Sequence, residues 1–169
     1  MDPGLVITLL EKNKQVFEAL LSDISDDLRH WRPTPEKWNL LEIVCHLFDE
    51  EQLDFRARIK HILEMPQATM PPIDPAGWVK EKEYASRDYD QVVELFLAER
   101  EISIQYLKNL GGVNWQTTTR HPTLKKVTAG YFLYNWLAHD YLHIRQINRY
   151  AYLFFKKNSG LELSYAGDW

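Results

Sequence analysis

The sequence predicts an all-α fold, a four-helix bundle with long connections. Three observations carry that prediction. Four segments place apolar residues at three-to-four spacing, the period of one helix face. Proline and glycine cluster between these segments. No stretch alternates as a half-buried strand does, and no internal repeat competes. The chain has 169 residues, 45% of them hydrophobic, enough to bury a core without disulfides, and residues 1–169 read as one domain.

The first helix is expected from about Leu5 to Leu28. Its apolar positions are Leu5, Leu9, Val16, Leu20 and Ile24, and the prolines of Trp31-Arg32-Pro33-Thr34-Pro35 forbid continuation. The second starts at Asn39, a cap for the orphan amides, with Glu42 three residues on as a capping-box variant. Ile43, His46, Leu47, Glu50, Leu53 and Ala57 then share a face, and Pro66 ends the pattern after Met65. Residues 66–87 contain Pro66, Pro71, Pro72, Pro75 and Gly77; a connection this long crosses the bundle or forms a lid. A crossing implies an up-down-down-up order.

The third helix begins near Asp88, with Gln91 completing another capping box. Val92, Phe96, Ser103 and Leu107 mark its inner stripe, and Gly111-Gly112 stop it. The fourth runs from about Thr128 to Lys157. Its stripe is Phe132, Trp136, His139, His143, Ile147, Tyr150 and Phe154, and Asn158 and Gly160 end it. The short aromatic tail, Leu161 to Trp169, is expected to dock on the bundle.

The net charge is −4 and no polybasic run occurs, which argues against nucleic acid as a partner. The single cysteine, Cys45, excludes an intramolecular disulfide and suits a reducing compartment. No signal peptide is expected from Met1-Asp2-Pro3-Gly4-Leu5, and charge interrupts every apolar stretch before it reaches membrane-spanning length. The expected location is cytoplasmic, with no membrane association.

The chemistry concentrates on His139-Asp140-Tyr141-Leu142-His143. Residues four apart stand one above the other on a helix, so two imidazoles at that spacing can turn onto one ion. Both lie in the apolar stripe, where separate buried imidazoles would each need a hydrogen-bond partner. His46, inward on the second helix, supplies a third ligand. Three neutral imidazoles leave a coordination position open, the pattern of catalytic zinc sites. Glu50, one turn after His46, is a candidate catalytic residue: it either orients an imidazole, acts as a general base, or is simply solvated. Arg100 stands near the inner stripe of the third helix, as a cation for an anionic substrate group or as half of a surface ion pair. Cys45 reads as an inert buried thiol. His30, His61 and His121 fall in or near loops and read as surface.

Three stretches resemble the DinB-like (YfiT-like) superfamily of bacterial four-helix metal-binding proteins. The first is Trp31-Arg32-Pro33 followed by Trp38-Asn39-Leu40-Leu41-Glu42-Ile43-Val44-Cys45-His46-Leu47-Phe48-Asp49-Glu50-Glu51. The second is Arg120-His121-Pro122 leading to Thr128. The third is His139 to Ile147 with its Arg145-Gln146. The resemblance implies a bundle, often a homodimer, that holds nickel or zinc through His46, His139 and His143. It also implies, by analogy of class, a low-molecular-weight thiol as cosubstrate and S-transfer to small electrophiles. A metal-dependent hydrolase and a non-catalytic metal- or ligand-binding dimer are the competing expectations.

Overall fold

The computed structural model describes residues 2–167. Its main elements are α1 (Pro3–Leu21), a short α2 (Asp26–His30), α3 (Leu40–Asp49), α4 (Arg56–Glu64), α5 (Pro75–Glu81), α6 (Tyr89–Asn109) and α7 (Ala129–Ser159). A π-helical turn, Glu50–Phe55, joins α3 to α4 without a break, so the two form one rod. Two strands, β1 (Thr118–His121) and β2 (Lys125–Thr128), pair antiparallel, with Thr118 opposite Thr128.

The bundle consists of α1, the α3–α4 rod, α6 and α7. Bonds between helices fix their directions. Lys14 reaches Glu101 at 2.7 Å and Lys108 reaches Glu11 at 2.6 Å, so α1 and α6 run antiparallel. Gln52 meets Glu99 and Arg56 meets Ser103, so the rod and α6 run parallel. His46 meets His139 while Glu51 meets Trp136, so the rod and α7 run antiparallel. The order is therefore up-down-down-up, as expected. Parallel neighbours require a connection that travels the length of the bundle. Residues 66–87 do this, and α5 with the 3₁₀ turn Tyr84–Ser86 packs on α3 as they cross. Trp78 and Tyr84 are buried there.

Local chemistry sets the ends. Asn39 and Glu42 form the full capping box at 2.9 Å each way, Asp88 accepts from the Gln91 amide at 2.8 Å, and Thr128 caps α7. Gly160 stops α7 in the left-handed region at φ 64°.

Four expectations need correction. First, α1 buries Val6, Leu10, Asn13, Phe17 and Leu21, a stripe one residue on from the expected one. A polar Asn13 interrupts this stripe in the sequence, and the helix itself ends at Leu21. Second, Leu53 and Ala57 are exposed whereas Phe55, Arg58, Ile59 and Ile62 are buried. The π turn spends one extra residue and shifts the inward face of α4 by about one position. Third, the β-hairpin escaped the pattern search. Each strand buries one residue, Thr119 or Val127, which leaves no alternation to detect. Fourth, the described part of the tail does not dock: Leu161 and Tyr165 are exposed. Trp169 lies outside the described residues.

Two apolar clusters fill the bundle. One gathers Phe17, Leu21, Leu41, Val92, Phe96 and Ile147. The other gathers Val6, Leu10, Phe55, Ile59, Leu107 and Leu133. Between them lies a polar layer built from Asn13, His46, Glu50, Glu51, Arg100, Asp140 and His143, all buried, together with His139. No helix among the described residues is long and apolar enough to cross a membrane.

Candidate metal centre

His46 occupies the last turn of α3, immediately before the π turn, and faces the middle of α7. His139 and His143 rise one above the other on α7 and face back. The three Nε2 atoms converge. His139 Nε2 lies 3.2 Å from His46 Nε2 and 3.1 Å from His143 Nε2. The structure thus brings together the three histidines singled out in the sequence.

Hydrogen bonding alone does not satisfy this arrangement. Burial, then the neighbouring imidazoles, lowers the pKa of His46 to about 3 and of His139 to about 2. Burial lowers that of His143 to about 4. All three rings are neutral near pH 7, so each carries one proton on one of its two nitrogens. A single Nε2 gives or takes one well-formed bond, so His139 cannot serve both neighbours. A shared cation serves all three. Nitrogens bound to one distorted tetrahedral ion at about 2.0–2.1 Å, with angles of about 95–110° between them, stand roughly 3.0–3.4 Å apart. Two edges of the triangle fall in that range, and the three ligand atoms all lie within 4.8 Å of one another. The donor set therefore fits one divalent ion.

The shell around the triad is aromatic on two sides. Trp38 packs 5.0 Å from the His46 ring, and Phe55 packs 5.2 Å from His139 while stacking on Trp136 at 5.5 Å. Glu50 lies at the far edge of His46, its Oε1 3.8 Å from Nδ1. Burial, then Asp54 beside it, raises the Glu50 carboxyl well above its usual range. At this distance Glu50 makes no hydrogen bond to the ring.

Arg100 is placed differently from expectation. It is 1% exposed. Its Nε donates to Glu51, its two terminal nitrogens clasp Asp140 at 2.7 Å each, and one of them also reaches the Leu10 carbonyl. The second terminal nitrogen contacts Glu51 at 2.6 Å. Every donor of the guanidinium is engaged within the fold, so it has none left for a substrate. Burial opposes its charge, but Asp140 and Glu51 outweigh that and raise its pKa. Cys45 is buried beside His46, and burial pushes its thiol up to about 12, which fits an inert group.

A cleft of about 330 Å³ opens beside His139. Asp54, Arg58, His121, Phe132 and Leu142 help to line it. His121, expected to be a surface residue, is carried here by the hairpin. Its Nδ1 faces the amides of Thr123 at 3.2 Å and Leu124 at 3.1 Å, and accepting from either holds the ring proton on Nε2. Burial, then Arg58, lowers its pKa, so it is neutral near pH 7. Its only signal in the sequence was the Arg120-His121-Pro122 stretch, which carries no spacing rule linking it to the triad. Asp54 and Arg58, paired with each other, were reached by no pattern because the π turn re-aims them.

The sequence profile of the DinB superfamily matches residues 9–147, which include the three histidines. The chain belongs to the DinB superfamily. Among solved structures it is similar to YfiT from Bacillus subtilis, described as a probable metal-dependent hydrolase with an unusual four-helix bundle topology. The identity is 19% and the TM-score 0.78, over 95% of this chain and 89% of YfiT. At that identity the likeness concerns the fold. No curated protein matches the chain.

Proposed function

We propose that this DinB protein is a divalent-metal-dependent enzyme that joins a low-molecular-weight thiol to a small electrophile. The reading is carried by one observation: three neutral imidazoles converge on a shared point beside an open cleft. Zinc or nickel suits such a donor set. When bound, the ion acts as a Lewis acid and lowers the pKa of a thiol or water that meets it.

The chain's own residues supply the rest. His46, His139 and His143 would hold the ion, and Glu50, on the Nδ1 side of the His46 ring, is the group placed to orient it. Trp38 and Phe55 keep water from two flanks of the triad. In the cleft, the Nε2 proton of His121 and the Arg58 guanidinium are donors for charge that develops on the electrophile. Glu50 stands behind a ligand ring, out of reach of a proton on a nucleophile at the open position, so neither reading uses it as a base. A thiol loses its proton to metal coordination without a base.

Hydrolysis is the second reading, supported by the description of YfiT. One experiment separates the two. Zinc-loaded protein is mixed with 1-chloro-2,4-dinitrobenzene and a panel of small thiols, then with p-nitrophenyl acetate and no thiol. In the first reaction a sulfur–carbon bond forms, chloride leaves, and the thiol proton passes to solvent. The proposal expects zinc-dependent thioether formation that chelation abolishes. Ester cleavage with no thiol transfer would select the hydrolase. Equal rates with and without zinc would remove both.

A further inference from the structure

We propose that a second groove, between the Pro33–Lys37 turn and α7, is an anion subsite for an acidic small molecule bearing carboxylate or phosphate groups. The groove encloses about 580 Å³. Lys37 lines it from the turn and Arg145 and Arg149 from α7, together with the apolar side chains of Leu142, Tyr150 and Leu153. No Asp or Glu lines it.

The charges there are unbalanced. Arg145 and Arg149 are four apart on α7, where like charges repel. Neither they nor Lys37 form an ion pair among the described residues, whereas Arg32 beside the groove pairs with Glu42 at 2.7 Å. Glu36, next to Lys37 in sequence, is exposed, is bonded to Thr34 and feels the Lys37 charge, which leaves Arg145 and Arg149 as the cations without a neighbouring acid in the groove lining. The turn is also fixed before any ligand arrives. The Lys37 amide donates to the Thr34 carbonyl at 3.0 Å, and Arg32 donates to the Lys37 carbonyl at 2.6 Å. Three cations beside apolar side chains, in a chain of net charge −4, match a small organic anion.

The groove adjoins the triad. Gln146, one turn beyond His143, lines it, and Leu142 lines both this groove and the His139 cleft. An acid anchored here directs its other end towards the three histidines. As a substrate subsite the groove rests on the enzyme reading above; as an anion site it does not.

The test is calorimetric titration of metal-free and zinc-loaded protein at low ionic strength with succinate, phenyl phosphate and neutral succinamide. At least one anion is expected to bind the metal-free protein, and succinamide is not. The double variant R145Q/R149Q is expected to weaken that anion about tenfold or more, with zinc uptake unchanged, and Lys37→Gln to weaken it in the same direction. Whether succinate or phenyl phosphate binds better distinguishes a carboxylate from a phosphate source. Binding of neither anion, or equal binding by the double variant, overturns the proposal. All three side chains are exposed, and circular dichroism checks that the variants fold. Anion binding by a protein that takes up no zinc would sustain this site while removing the metal reading.

Discussion

The two halves of the buried polar layer are built from neighbouring residues and end in opposite states. Glu50 and Glu51 are consecutive, as are His139 and Asp140, and each pair sends one member to each half. On one side Glu51, Asp140 and Asn13 surround Arg100, with Trp136 donating to Glu51 at 2.8 Å and Asn13 to Asp140 at 3.0 Å. This network spends all five guanidinium donors and ties α1, the π turn, α6 and α7 together. On the other side the three imidazoles face one another, and Nδ1 of His46 has no hydrogen-bond partner among the described residues. A saturated network needs no ligand and serves the fold. An unsaturated one persists because something else completes it.

The sharpest way to break this contrast is to remove a partner from the saturated side. Arg100→Met should destabilise the protein by about 3–5 kcal/mol in urea unfolding, because it leaves Asp140 and Glu51 buried without their cation. On the histidine side the expected signs reverse. His139→Ala should leave metal-free stability nearly unchanged and should abolish stabilisation by zinc. In the wild-type protein that stabilisation amounts to about 2.7 kcal/mol at a hundredfold excess over Kd, read as a shift in Tm.

Smaller effects test the shell. Glu50→Gln replaces the carboxyl beside His46 and should weaken zinc affinity about 10–100-fold, measured by competition with a chromophoric chelator, while thermal stability without metal holds or rises. The smallest effect tests the π turn. Leu53→Lys should change stability by less than about 0.5 kcal/mol, since the structure exposes this position. A large loss would mean that the rod keeps α-helical phase through residue 53.

The contrast also shows what the sequence made legible. The triad was readable because each histidine sits in an apolar stripe, and two of them share one helix at a fixed spacing. The caps at Asn39 and Asp88 were readable because capping is chemistry between residues three apart. The crossing of residues 66–87 followed from length and proline content. What failed was whatever depended on phase or distance. One extra residue in the π turn exchanged Leu53 and Ala57 for Phe55 and Arg58. Two stripes on α1 differ by one residue, and the buried one was hidden by Asn13, whose partner Asp140 lies 127 residues away. Arg100 offered no local sign that two acids from other helices would enclose it. His121 depended on a hairpin whose strands bury one residue each.

The central claim is that the three Nε2 atoms share one ion. X-ray absorption at the zinc edge, on protein purified without an affinity tag and loaded at neutral pH, tests it most directly. The expected result is about one zinc per chain with three imidazole nitrogens at roughly 2.0–2.1 Å, lost in His139→Ala. Zinc absent from the wild-type protein, or held equally well by that variant, would contradict it.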